Sequence, residues 1–366
     1  MARRILIVNL HSARNLGDDG IMAGTLAGLA RVFPDAQITL AANDPHSWQK
    51  YDSLAVMDSL CSWVADTCAG NWRAGLWRMP FYLFLLAVYA GLFRLFHFRP
   101  GLRDPWKHNL LQAYYAADLV LSCGGGNFYA HHSPSPGFFW ALMALAFPLA
   151  LGKPVVMLPQ SVGPITGRLQ RLLARQVFRR VSVIMVREAL SAQFLREALG
   201  LTNQIYVLPD LAFGLATGKP QTAGERQAAA HKPAIRVGVT VIDRRAQMKV
   251  FHNQDAYEQA LVDVLEHLQR QYGAELHLFV QCFGPGATQD VRPVAMRLAE
   301  KLKEQEVEVV MQDYFMGAAQ LQDAYAEMDL VIASRMHAGI FALSRGVPTV
   351  MIAYQPKAQG LSLIHI

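Results

Sequence analysis

The sequence predicts an α/β chain of two Rossmann-like domains that face each other across a cleft. Three observations carry this reading. Short apolar runs repeatedly end in a glycine-rich or polar turn and pass into a helical stretch, the pattern of parallel sheets covered by helices on both faces. The length of 366 residues exceeds the size at which one hydrophobic core stops growing. The stretch from Thr217 to Pro233 has no apolar periodicity and carries two prolines, so it reads as a linker between two such patterns. The expected domains are therefore residues 1–216, with an apolar helical insertion near 81–98, the linker 217–233, and residues 234–366.

Ile5 to Leu10 suits a strand buried on both faces, and Asn15-Leu16-Gly17-Asp18-Asp19-Gly20 leads from it into a helix reaching Val32. The same unit recurs at Ala117 to Ser122 with Gly124-Gly125-Gly126-Asn127, and at Val155 to Leu158 with Pro159-Gln160-Ser161-Val162-Gly163-Pro164. It recurs again at Val181 to Val186 with Arg187-Glu188. All of these turns are expected on one edge, where the carboxyl ends of parallel strands form a ligand crevice. In the second half, Ile235 to Ile242, Leu276 to Gln281, Val307 to Met311, Leu330 to Ala333 and Thr349 to Ala353 read as strands. Ala256 to Tyr272 and Val291 to Lys303 read as helices. The strand ending at Ala333 runs directly into Ser334-Arg335-Met336-His337-Ala338-Gly339. Two domains of this kind form a GT-B-like arrangement, by analogy of fold.

With 52% hydrophobic and 17% charged residues the chain is not disordered, and its net charge of +6 favours acidic partners. The basic residues are dispersed and no aromatic stacking motif accompanies them, so nucleic acid is not expected as a partner. Cys61, Cys68, Cys123 and Cys282 are scattered, which predicts free thiols and neither a disulfide framework nor a metal site. The opening MARRILIVNL reads as a first strand rather than a secretion signal, so a cytoplasmic protein is expected. Between Phe81 and Phe93 there is no charge, and Arg73, Arg78, Arg94, Arg99 and Arg103 flank or interrupt this segment. It reads as an interfacial helix on anionic lipid or as a buried core or lid helix, and as too short for a transmembrane span. Phe138 to Leu151 is expected to pack against the sheet.

Arg335 and His337 follow a buried strand where a helix begins, so their side chains and the first free backbone N–H groups suit an anion. Histidine is also the side chain whose proton moves near neutral pH. The structural alternative is a salt-bridged arginine and a histidine at the core edge. Arg187 also stands at a strand end and can oppose Arg335 across a cleft, or pair with Glu188. Gly125 and Gly126, with Asn127, allow close approach of a ligand, without the spacing of a nicotinamide or ATP site. Asp18 and Asp19 can bind sugar hydroxyls, act as a base, or simply favour a helix N-terminus. His131 and His132 read as cleft or loop residues.

Six motifs in order resemble the polysaccharide pyruvyl transferase family across almost the entire chain. They are Asn15-Leu16-Gly17-Asp18-Asp19, Ser122 to Asn127, Gln160-Ser161-Val162-Gly163-Pro164, Val186-Arg187-Glu188, Pro209-Asp210-Leu211-Ala212 and Ser334-Arg335-Met336-His337-Ala338-Gly339. Gly346-Val347-Pro348 and Tyr354-Gln355-Pro356-Lys357 are also similar to that family. The resemblance implies a transferase that moves the enolpyruvyl unit of phosphoenolpyruvate onto a sugar of a polysaccharide or lipid-linked oligosaccharide, forming a pyruvate ketal and releasing phosphate. Phosphoenolpyruvate is then the co-substrate and no cofactor is expected. The resemblance makes His337 the general acid and Arg335 and Arg187 the donor clamp. It leaves Asp18, Asp19 or a phosphate oxygen as the base. Asn15, Gly17, Asp18, Asp19, Gly125, Gly126, Asn127, Gln160, Ser161, Gly163 and Ser334 are the substrate-binding candidates. It further implies a place in exopolysaccharide or cell-envelope biosynthesis, with peripheral contact at the inner face of the cytoplasmic membrane.

A nucleotide-sugar glycosyltransferase of GT-B fold, or an inactive membrane-associated binding protein of the same fold, is the alternative. GT-B-like folds close with C-terminal helices, whereas this sequence stops soon after a strand, so a truncated C-terminus is expected. Leu361 to Ile366 resembles adapter read-through, and no function is assigned to His365.

Overall fold

The computed structural model describes residues 2–68, 72–130, 136–215, 234–243, 253–286 and 289–353. The linker 217–233, His131, His132, Tyr354 to Lys357 and Leu361 to Ile366 lie outside the described residues. The chain divides into two compact units, one of Met1–Ser12 with Thr25–Leu211, the other of Ala13–Gly24 with the residues from Ala212 onward. The second unit therefore recruits a segment from near the start of the sequence, which no linker pattern announces.

The first unit contains β1 (Arg4–Leu10), the later part of α1 (Leu16–Val32), β2 (Gln37–Ala42), β3 (Ala55–Asp58), α2 (Leu60–Cys68), α3 (Trp72–Phe96) and α4 (Pro105–Ala116). Then come β4 (Leu119–Ser122), β5 (Gly125–Ala130), α5 (Pro136–Ala150), β6 (Val155–Ile165), α6 (Arg168–Phe178), β7 (Val183–Val186), α7 (Ala189–Glu197) and β8 (Ile205–Val207). The sheet order is β3-β2-β1-β4-β6-β7-β8, with β5 also paired to β6. All of these pairs are parallel, including β1 with β4 and β4 with β6. The apolar runs explain the strands: Ile5, Leu6, Ile7 and Val8 are each at most 1% exposed because helices cover both faces.

Two expected turns are strands instead. The glycine run passes directly into β5, and Gln160 to Pro164 extends β6 to eleven residues. Val120 to Ser122 pair with Val155 to Met157, after which Gly125, Phe128 and Ala130 pair with Gln160, Val162 and Ile165. The extension persists because β5 on one side and β7 on the other bind its backbone groups. Gly163 is required there: its φ is +82°, and the Phe194 ring lies 2.6 Å from where a Cβ would stand.

From Phe81 onward, helix α3 buries one face. Leu86, Ala90 and Phe93, at helical spacing, pack into the core, whereas Phe81, Phe84 and Leu95 are 59%, 68% and 75% exposed. Among the described residues no helix is long and apolar enough to cross a membrane.

A buried polar cluster joins β6, β7 and the segment after β8. Arg187 donates to Ser161 Oγ at 2.7 Å and to Asp210 Oδ2 at 2.6 Å, and its Nε stands 3.6 Å from Glu188 Oε2. Glu188 also accepts from Ser161 at 3.0 Å and from Ser191, whose hydroxyl in turn accepts the Val162 N–H. Burial pushes the Glu188 carboxyl above its usual pKa, against the opposing pull of Arg187 and the two serines.

The second unit contains β9 (Arg236–Thr240), α8 (Gln254–Tyr272), β10 (Glu275–Phe279), α9 (Arg292–Glu304), β11 (Val309–Gln312), α10 (Ala318–Ala326), β12 (Leu330–Ala333), α11 (Met336–Ser344) and β13 (Thr349–Met351). Its parallel sheet has the order β11-β10-β9-β12-β13. Helix α8 starts where the Asn253 side chain accepts the Ala256 N–H at 3.0 Å, and it ends at Gly273 in a left-handed conformation. The segment 13–24 belongs here because Arg14 to Leu16 pairs with the chain after β10. Leu16 N–H donates to Gln281 O at 3.1 Å, and Phe283 N–H to Arg14 O at 3.0 Å.

Replacing Arg187 by Ala leaves Asp210 and Glu188 buried without their cation, so chemical denaturation should show a loss of about 3–5 kcal/mol. Because the folded-state pKa of Glu188 is raised, the native state holds the proton more tightly than the unfolded chain does. That stabilisation is complete below the ordinary carboxylate pKa and is lost as pH rises through the higher folded value. Denaturation of Glu188→Gln beside the wild type, from pH 4 upward, should therefore show the stability difference moving in favour of the variant.

Candidate active site

Strand β12 lies beside β9 at the point where the strand order of the second unit reverses, since β10 and β11 continue on one side and β12 and β13 on the other. Ligands of open parallel sheets bind outside the carboxyl ends of the strands at such a point. The residues emerging there are Ser334, Arg335, Met336 and His337.

Ser334 is 1% exposed and pinned from two sides: its hydroxyl accepts from Tyr257 at 2.5 Å, and its N–H donates to Thr240 Oγ1 at 3.1 Å. Arg335 is the N-cap residue of α11, with extended backbone and no side-chain cap bond. The first intrahelical donors that reach its carbonyl are Ala338 and Gly339, so the helix mouth opens at Met336. The Nη1 of Arg335 is buried and has no hydrogen-bond partner among the described residues. A buried, unsatisfied guanidinium N–H is costly unless an anion completes it. Its field reaches two neighbours. Burial raises the pKa of the Tyr325 hydroxyl, and that of the Cys282 thiol, and in both cases Arg335 opposes the rise.

His337 is half-buried against the segment borrowed from the start of the chain. A Cβ at Gly17 would run into its ring, so only glycine lets the imidazole lie there. Asn15 shapes this turn: its carbonyl accepts the N–H groups of Asp18 and Asp19, and its side chain donates to Asp18 Oδ2 at 3.1 Å. The two aspartates then diverge. Asp19, 2% exposed, accepts the Ala318 N–H at 2.8 Å and so holds the N-terminus of α10, a structural bond to a helix other than its own. Asp18 is half-buried, and its charge is felt by Cys282, as is that of Arg335. Asn15, Gly17, Asp18, Ser334, Arg335 and His337 are thus brought together in one unit.

The remaining candidates lie in the first unit. Arg187 does not offer a free guanidinium there; it is 5% exposed and neutralised by Asp210, with Ser161 as a further partner. Gln160 is fully buried, and neither end of its amide has a partner among the described residues. Gly125 pairs with Gln160 across the strands, Gly126 is exposed, and Asn127 donates to Asn9 O at 3.0 Å. Gly163 serves the packing of Phe194 described above.

Sequence reasoning missed Gln281, Tyr257 and Thr240. Gln281 is 1% exposed, both ends of its amide lack a described partner, and its backbone receives Leu16. A polar residue closing the apolar run before it was the available signal. Tyr257 and Thr240 act only through Ser334, a contact that local sequence does not show.

Solved structures of low sequence identity share this fold. A protein assigned as a UDP-N-acetylglucosamine 2-epimerase from Listeria monocytogenes is similar with a TM-score of 0.56 at 12% identity, covering 96% of this chain and 79% of that one. The UDP-GlcNAc 2-epimerase from Neisseria meningitidis gives 0.54 at 10% identity, covering 97% and 85%. These likenesses, with the two parallel sheets, make the fold GT-B-like with two Rossmann-like domains. In sequence the chain is 26% identical to the amylovoran biosynthesis protein AmsJ of Erwinia amylovora over 98% of this chain and 85% of the relative. The family model for polysaccharide pyruvyl transferase matches residues 15–356, a span that opens at Asn15 and includes Arg335 and His337. The chain therefore belongs to the polysaccharide pyruvyl transferase family.

Proposed function

We propose that this transferase moves the enolpyruvyl unit of phosphoenolpyruvate onto two hydroxyls of a sugar, yielding a pyruvate ketal and phosphate. The observation that carries the reading is the buried, unpartnered Nη1 of Arg335 at the mouth of α11, two residues before His337. Phosphoenolpyruvate presents a carboxylate and a phosphate, and a guanidinium at a helix N-terminus matches either. His337 gives a proton to the methylene carbon, which leaves an oxocarbenium-like C2. One sugar hydroxyl bonds to C2, the C2–O bond to phosphate breaks, and a second hydroxyl closes the ketal. Of the two hydroxyl protons, one restores His337 and the other leaves with phosphate. Asp18, half-buried in the Asn15 turn, is the proposed base that passes the second hydroxyl proton to the departing phosphate, whereas Asp19 holds α10. Arg187, already neutralised by Asp210, orients Ser161 and the β6 extension and leaves the donor to Arg335. The reaction draws on no further cofactor.

The acceptor is proposed to be a lipid-linked oligosaccharide or growing polysaccharide, and α3 suits work at a membrane. Phe81, Phe84, Val88 and Leu95 form its exposed apolar stripe. Arg78, Arg94, Arg99 and Arg103 are exposed around it, and no acidic residue occurs from 67 to 103. Anionic lipid headgroups complement that charge, and the inner face of the cytoplasmic membrane is the location this implies.

Phosphate release from phosphoenolpyruvate in the presence of acceptor should fall by about 10²–10⁴ in kcat for His337→Ala, with donor binding retained. Arg335→Lys should act mainly through a raised KM for phosphoenolpyruvate, because an ammonium cannot reproduce the two-pronged grip. Undiminished turnover in the His337 variant would remove the mechanism. The wild type should sediment with vesicles containing phosphatidylglycerol and remain in solution with phosphatidylcholine alone. Phe84→Glu with Leu95→Glu should weaken that binding by at least about tenfold, and equal binding to both vesicle types would exclude the charge-based role of α3.

A further inference from the structure

A cavity of about 290 Å³ opens at the strand-order reversal of the first unit, between β1 and β4, and none of the described residues lining it is charged. The charge of this unit gathers instead on α6 and the two residues after it. Arg168, Arg171, Arg175, Arg179 and Arg180 follow one another closely, and no acidic residue occurs from 119 to 187. Arg168, Arg175, Arg179 and Arg180 are exposed. None of the five has a carboxylate partner among the described residues, and Arg171 alone makes a side-chain hydrogen bond, to Thr166 O at 3.3 Å. Folded surfaces ordinarily intersperse both signs, and like charges three or four apart on a helix destabilise it. An anionic surface laid against α6 removes that repulsion.

Helical periodicity sorts α6 into two faces. Ala174 and Phe178 are buried, and the Phe178 ring meets Phe128 of β5 edge-on at 5.1 Å. On the opposite side Arg168, Leu172, Arg175 and Arg179 form one stripe. Leu169 and Leu172 stand among these arginines at 67% and 53% exposure. Apolar side chains between guanidinium groups suit the boundary between lipid headgroups and acyl chains. The neighbourhood matches. Helix α5 packs against both α3 and α6, and all three bury their inner residues in one core cluster. The basic stripe of α6 thus belongs to the same helical layer as the exposed Phe81, Phe84 and Leu95 of α3.

We infer that α6 is a docking surface for anionic phospholipid headgroups, in which its guanidinium groups grip phosphates while Leu169 and Leu172 enter the interface. The choice of lipid rests on the membrane reading of α3, to which α6 adds a second contact. A single helix on a bilayer leaves the unit free to roll about that helix, whereas two helices of one layer set its orientation. An acidic polysaccharide would match the arginines but offers nothing to the leucines. Each basic side chain held near an anionic bilayer strengthens binding by about fivefold.

The test is sedimentation of the full chain with vesicles of phosphatidylcholine and phosphatidylglycerol. Changing Arg168, Arg175 and Arg179 together to Gln should weaken binding by roughly 10²-fold. Changing the same three to Lys should leave it within about threefold of the wild type, because the surface potential acts on charge. Circular dichroism checks that both variants fold. Wild-type binding should also fall as sodium chloride is added. The Phe84→Glu, Leu95→Glu variant separates the two helices. Binding that remains in it and is lost on adding the three Gln changes supports α6, even where α3 makes no contact. Binding lost with the α3 changes but untouched by the three Gln changes overturns the proposal and leaves α3 as the contact. Unchanged vesicle binding in the Gln variant, with weakened binding to alginate, would give the surface to an acidic glycan and equally overturn it. A wild type that ignores anionic vesicles would overturn both helices' roles.

Discussion

Strands that pair only in parallel must each be followed by a crossover, so all carboxyl ends of a sheet emerge along one edge. Both sheets here are parallel throughout the described pairs, and the consequence is chemical. Each strand delivers its following residues to the same edge, and the reversal of strand order parts two neighbouring crossovers there. The second unit fills that place with Arg335 and the open start of α11. The first fills it with an uncharged cavity. One topological constraint, applied twice, thus places a charged edge in one unit and an uncharged cavity in the other.

Charge compensation separates the two arginines that sequence alone treats alike. Taking a guanidinium out of water is expensive, and a carboxylate at hydrogen-bond distance offsets much of that cost. Arg187 has such a partner in Asp210, with Glu188 behind it. Arg335 has a buried N–H with no described partner, so its field remains available to a ligand. Asp18 and Asp19 divide in the same manner, one spent on the backbone of α10 and the other held near the site by Asn15.

Much of this was legible in the sequence because it is local. Apolar runs that end in polar turns marked most strands to within a residue or two, and the place of Arg335 and His337 past β12 followed directly. What escaped depends on distant partners. Nothing within Gly124 to Asn127 or Gln160 to Pro164 states that the two segments will pair, and without pairing both read as turns. Asp19 looks like a cap for its own helix, because the N-terminus of α10 is remote in sequence. Gln281 closes an ordinary strand until Leu16 is seen bound to its backbone. The carboxyl-end edge was thus readable, but not which of its residues would be consumed in holding the fold together.

The bond from Asp19 to the Ala318 N–H spans 299 positions. During synthesis at about 5–20 residues per second, the segment around Gly17 waits roughly 15–60 s for its partners to be made. In that interval the first unit can assemble while this stretch has nowhere to pack. Within Asn15 to Asp19, two carboxylates and one amide can be solvated during such a delay, and Leu16 is the single apolar side chain that waits for cover. Cutting the gene between the units would separate His337 from Gly17, so neither half would carry this site whole.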